Sequence, residues 1–174
     1  MIVGAQNIRI TPHFKYCSHF IEMKDGVKLA IDLFLPKKIK KEIPTVLFLT
    51  RYVRSFEPKD IIGFVGPIFG QIKRNEIVHY IKNGYAVIIV DVRGTGASFG
   101  SRKMEFSPQE VEDGAQILDW IVAQAWSNGK VGTTGISYLG TTAEFILTTN
   151  HPALQACVPR SSIFDLYGDI VLPG

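Results

Sequence analysis

The sequence predicts an α/β protein: a mostly parallel sheet, an antiparallel hairpin at its N-terminal side, and helices on both faces. Three observations carry this. Asp25-Gly26 separates two extended apolar segments, a strong hairpin signal. Residues 45–50 (TVLFLT) and 85–91 (YAVIIVD) are strand-length and apolar without alternation, as strands covered on both faces must be. Helix-like segments lie between the later strands, and that alternation is what a parallel sheet with crossover connections demands.

Taken in order, residues 19–24 and 28–35 form the hairpin, and Pro36 closes it. Strand 45–50 follows, then a Gly/Pro-containing loop over 52–70. Residues 71–82 suit a helix, with Ile77 and Ile81 one turn apart and Asn83-Gly84 as its C-terminal stop. After strand 85–91 comes a Gly-rich loop from Arg93 to Gly100. Ser107-Pro108-Gln109-Glu110 then forms a capping box with proline at the first helical position. The helix it opens aligns Val111, Leu118, Ile121 and Val122 on one stripe. Residues 130–136 make a third strand, 138–149 a helix, and 154–159 the start of a further strand.

Composition narrows the function. Of 174 residues, 46% are hydrophobic and 20% charged, an ordinary globular balance. The net charge is +3, and the densest basic run, Lys37 to Lys41, is followed by Glu42 and reads as a solvated loop. Nothing here suggests a nucleic-acid partner. Two cysteines, Cys17 and Cys157, make no disulfide framework and point to reduced thiols in a cytoplasmic protein. The opening MIVGA lacks a basic n-region, and no apolar run approaches the ~18 residues of a membrane span. His13, Cys17 and His19 fit no common zinc template. Gly94-Thr95-Gly96 follows a strand, but a dinucleotide fingerprint needs glycine where Phe99 stands.

The decisive segment is Gly135-Ile136-Ser137-Tyr138-Leu139-Gly140. A strand leads into it and an apolar helix follows. A serine at the tip of so tight a turn is held clear of the sheet with its hydroxyl open to substrate, and small residues are needed around it. The second glycine stands three residues after the serine, one later than in the G-x-S-x-G form, and Leu139 takes the usual place.

GISYLG, preceded by WSNGKVGTTG, resembles the nucleophile turn of the X-Pro dipeptidyl-peptidase and cocaine-esterase type hydrolases, which have the α/β-hydrolase fold. MKDGVKLAIDLFLP, GYAVIIVDVRGTGASFG, EVEDGAQILDWIVAQAWSNGKVG and SSIFDLYGD resemble further segments of that family in the same order, so the match runs from about residue 19 to the end. The resemblance implies a serine hydrolase, an esterase or X-Pro dipeptidyl-peptidase, acting by acyl transfer to water on an ester, amide or short peptide. Ser137 is then the nucleophile. Tyr52 is the tyrosine whose hydroxyl serves the oxyanion hole, and the Tyr138 backbone N–H is its second donor. Many members have proline before that tyrosine, where this chain has Arg51, a departure that bears on the hydroxyl's aim. Asp91, Arg93 and Gly94 match the family's loop in a structural role, as does Asp165. No metal or organic cofactor is implied.

A serine hydroxyl needs a base, and the base an orienting acid. In this fold the acid and the histidine follow the serine. The histidines are His13, His19, His79 and His151; His151 opens His-Pro, a helix stop, fourteen residues past the serine. Asp165 and Asp169 could mimic a triad acid. The expectation is therefore that residues 1–174 are the N-terminal part of one catalytic domain, truncated after about the sixth strand. The triad Asp and His, the cap and a β-rich C-terminal domain would lie outside it, and the isolated chain would be inactive. The competing expectation is a non-catalytic remnant of such a hydrolase.

Overall fold

The computed structural model describes residues 8–52, 54, 72–165 and 167–171. Most of the loop expected over 52–70 lies outside the described residues.

One sheet organises the chain. Its strands are β1 (Arg9–Ile10), β2 (Phe14–Glu22), β3 (Lys28–Pro36), β4 (Ile43–Thr50), β5 (Ala86–Asp91), β6 (Ser127–Ile136) and β7 (Leu154–Arg160). Their spatial order is β1-β2-β3-β5-β4-β6-β7. Strands β5, β4, β6 and β7 run parallel. The antiparallel pairings are β1 with β2, β2 with β3, and β3 with β5. The sheet is thus mixed, and its antiparallel part is larger than the sequence suggested. The first hairpin strand begins at Phe14 rather than residue 19, and β1 is an additional strand. Strand β1 is two exposed residues at the sheet edge, and the added stretch of β2 buries Phe14 and Cys17 three residues apart, so neither shows the strict alternation by which a strand is read from sequence. The hairpin turn falls where expected: the Gly26 N–H donates to the Met23 carbonyl at 2.8 Å, with Gly26 at φ 82°.

Helices α1 (Arg74–Lys82), α2 (Pro108–Val122) and α3 (Tyr138–Phe145) make the crossovers. Neighbouring residues of β4 face opposite ways and report both layers. Phe48 packs against Tyr80 of α1, whereas the Leu49 carbonyl accepts a bond from Thr142 of α3 and its side chain approaches Gly114 of α2. Helix α1 starts three residues later than the sequence reading and stops at Asn83-Gly84, with Gly84 at φ 83°. Helix α3 ends in a tighter 3-10 turn, Ile146–Thr149, closed by Asn150 in the left-handed region, as helix C-termini often are.

The buried stripe of α2 differs from the expected one. Ile117, Leu118 and Ile121 are buried as apolar members, but Val122 is exposed, and Glu110, Asp113 and Gly114 complete the face. Two acids hold stripe positions because each is paired. Asp113 takes a bidentate pair of bonds from Arg93, at 2.8 and 2.7 Å. Glu110 closes the capping box with Ser107 and also accepts the Tyr138 hydroxyl proton. Among the described residues, no helix is long and apolar enough to cross a membrane.

Candidate active site

The strand order locates the site. The chain goes from β4 to β5 on one side and then crosses back to β6 on the other. Crevices open at the carboxyl ends of parallel strands where the order reverses, and ligands bind there. The carboxyl ends of β4 and β6, which pair directly, lead into Arg51-Tyr52 and Ser137.

Ser137 is exposed and sits between β6 and α3 with φ 59° and ψ −125°. Non-glycine residues in such conformations cost about 1–3 kcal/mol and persist where surroundings over-determine them. Here the Ser137 N–H donates to the Arg160 carbonyl of β7 at 3.0 Å, and its own carbonyl accepts the Thr141 N–H at 2.9 Å. The hydroxyl caps nothing in α3. Both glycines of the turn are required by close approach. A Cβ on Gly135 would fall on the Leu139 Cβ, and one on Gly140 would stand 2.6 Å from the Arg160 carbonyl oxygen. Leu139 is accommodated because Gly135 opposite it has no side chain, so the clearance is supplied by positions 135 and 140.

Tyr138 begins α3 and is buried, yet its ring meets that of Tyr52 edge-on, with centroids 6.1 Å apart. The side chain of the residue after Ser137 thus meets that of the second residue after β4. The Tyr52 backbone is held by its N–H bond to Thr50 Oγ1 at 3.0 Å. Arg51 lies across the pair: its Cζ is 5.0 Å from each ring centroid, and Nη2 donates to Tyr52 Oη at 3.3 Å. Its other nitrogen pairs with Glu105, which also meets Arg102 at 3.5 Å. Arg102 in turn donates to Tyr138 Oη at 2.9 Å. Burial first, then the bond and charge of Glu110, push the Tyr138 phenol far up, so it stays protonated.

Beyond Tyr52, Arg54 is tied to the sheet. Its backbone N–H and Nη1 donate to Asp91 at 2.7 and 2.6 Å, and its Nε donates to Asp32 at 2.9 Å. Both aspartates are buried. Asp91 also accepts the Ala97 N–H at 3.0 Å, and a Cβ on Gly96 would collide with it. Asp91 therefore ties the end of β5 to the Gly-rich loop, the Gly94 N–H closes that loop on the Phe99 carbonyl, and Arg93 links it to Asp25 of the hairpin turn and Asp113 of α2. Sequence reasoning missed Arg54, Asp32, Glu105 and Arg102. A lone acid inside the apolar KLAIDLFL strand was the available signal for Asp32.

None of the four histidines bonds to Ser137. His151 contacts Asp119 through Nε2 at 3.1 Å and accepts the Ala153 N–H through Nδ1, also at 3.1 Å. His19 packs on Trp120 and His79 on Tyr80; His13 is an exposed residue before β2. Asp165 and Asp169 are spent on local turns, accepting from Tyr167 N–H and from the N–H groups of Phe164 and Asp165, respectively.

Comparison with known proteins identifies the family. A protein of Mycobacterium bovis that carries a serine-esterase name is 44% identical over 167 residues, covering 92% of this chain and 26% of that protein. Cocaine esterase from a Rhodococcus species is 33% identical over 149 residues, 84% of this chain and 23% of the esterase. The chain thus spans about a quarter of the length of these relatives. The crystal structure of a CocE/NonD family hydrolase from Staphylococcus aureus superposes with a TM-score of 0.78 at 29% identity, covering 91% of this chain and 30% of that one. Residues 25–174 match the profile of the X-Pro dipeptidyl-peptidase (S15 family), and the chain belongs to that family of α/β hydrolases.

Proposed function

We propose that this chain carries the nucleophile and oxyanion-hole part of a serine hydrolase that cleaves esters or amides by acyl transfer to water. Ser137 attacks the carbonyl carbon. The Tyr52 hydroxyl and the Tyr138 backbone N–H donate to the oxygen that becomes negative, and the collapsing intermediate expels the alcohol or amine. Water then releases the acyl group. Two preorganised donors suit this chemistry because their strength is greatest where charge develops; losing one typically costs ~10²–10³ in rate. The observation that supports this reading above all is the exposed Ser137, whose hydroxyl makes no hydrogen bond among the described residues, on a backbone turn that non-glycine residues rarely adopt.

The proton acceptor for Ser137 is none of His13, His19, His79 or His151, which are engaged or placed elsewhere. The triad base and acid come from outside these 174 residues, which form part of a single catalytic domain. Substrates are small esters, amides or short peptides, the class suggested by the names of the relatives. Two unpaired thiols, Cys17 and Cys157, support a reducing, cytoplasmic setting. A fluorophosphonate probe tests the proposal on the full-length protein. Labelling lost in Ser137→Ala supports it. Labelling that survives that substitution, or none at all, favours a non-catalytic remnant or a different nucleophile.

A further inference from the structure

We propose that Arg51 is a positioning residue for the Tyr52 hydroxyl, fixing the direction in which its proton is offered. The inference rests on the reading of Ser137 as nucleophile and Tyr52 as oxyanion donor. A phenol has one proton to give and lone pairs to accept with, whereas a guanidinium has donors and no acceptor. Arg51 Nη2 therefore fills a lone pair of Tyr52 Oη at 3.3 Å, and the phenolic proton must turn away from it. Among the described residues nothing accepts that proton. It stays available for an oxygen bearing new negative charge, and the Arg51 charge lies one hydrogen bond behind it.

The neighbouring tyrosine is wired in the opposite sense. Tyr138 Oη gives its proton to Glu110 and accepts from Arg102 at 2.9 Å, so it has none to offer substrate. Of these two hydroxyls, one is used up by the protein and the other meets no acceptor for its proton among the described residues. Arg51 is itself fixed by Glu105 and by two aromatic faces at 5.0 Å each, so it constrains Tyr52 as part of a network running through Arg102 to Glu110.

The test uses the full-length protein, with kcat and KM for p-nitrophenyl acetate and thermal melts to confirm folding. Misaiming a donor forfeits part of its effect, so Arg51→Met is expected to lower kcat about tenfold, a fraction of the ~10²–10³ for losing the donor. KM stays within about twofold, since the ground-state carbonyl carries little charge. Arg51→Lys, again a donor without acceptors, recovers part of the loss. In a Tyr52→Phe background, Arg51→Met has no further effect. An equal loss in both backgrounds, or an unchanged kcat, overturns the proposal. A readout independent of turnover is the tyrosine Cζ resonance of ¹³C-labelled protein. The signal that disappears in Tyr52→Phe is expected to shift in Arg51→Met, and an unmoved signal overturns the proposal. If the signal shifts but Ser137→Ala retains full activity, the failure lies in the underlying site reading, and the catalytic part of the inference falls with it.

Discussion

Replacing Ser137 by glycine is expected to give a more stable protein than replacing it by alanine, although both remove the hydroxyl. The serine backbone lies at φ 59° and ψ −125°, where a Cβ costs about 1–3 kcal/mol. Alanine keeps that Cβ and glycine removes it. Glycine loses about 0.5–1 kcal/mol more conformational freedom on folding, so the net advantage of Ser137→Gly is about 1 kcal/mol. The hydroxyl contributes little to this comparison, because the side chain is exposed and makes no capping bond. In a chain of this size ~1 kcal/mol corresponds to about 2–4 °C in Tm. Differential scanning calorimetry of the two variants measures it, with urea midpoints as a second readout. A glycine variant that melts at or below the alanine variant would refute the idea that this turn stores strain.

Three further outcomes are expected. Gly140→Ala forces a Cβ to within 2.6 Å of the Arg160 carbonyl oxygen and 3.1 Å of that of Gly135. Because backbone must move, it should cost about 3 kcal/mol, read as a lower urea midpoint. Arg93→Met leaves the Asp113 carboxylate buried without its bidentate partner and should cost about 3–5 kcal/mol, or prevent folding at 37 °C, as circular dichroism would show. His19 is held below its usual pKa by burial, against an opposing pull from Asp32. The unfolded chain therefore takes up the proton first, and stability should fall as pH drops below ~6.5. His19→Phe should flatten that part of the stability-versus-pH curve, and an unchanged curve would assign the slope to other groups.

Where patterning was strong, the sequence was readable. The hairpin turn needed a positive-φ residue, and Asp25-Gly26 supplied it. Strands β4 and β5 are buried on both faces, so their apolar runs were continuous. The capping box at Ser107 and Glu110 also formed. What escaped patterning was polar residues placed in apolar positions by long-range pairs. Glu110 and Asp113 occupy the inward stripe of α2 because Tyr138 and Arg93 meet them there, and Asp32 sits in the core because Arg54 reaches it from 22 residues away. Periodicity sees a charge at such a position and assigns it to solvent, which is why Val122 was expected inside.

The same limit governs the site. Ser137 was legible because its turn is a local problem: strand, sharp bend and helix lie within one short segment, and the glycines that relieve crowding lie beside it. Tyr52 had no local signature and was located by resemblance alone; the structure supplies the physical cause of its position. Arg51 and Arg54 flank it. One is held across two aromatic rings by Glu105, the other between Asp32 and Asp91. Both therefore draw the chain leaving β4 back onto the sheet, one through the elements next to Ser137 and one through β3 and β5. In the proposed role of oxyanion donor, a tyrosine on an untethered loop would pay the entropy of ordering when it met the oxyanion. Two fixed arginines let the folded sheet meet that cost beforehand, and the carboxylates that pair with them are the polar groups whose burial the sequence pattern did not foresee.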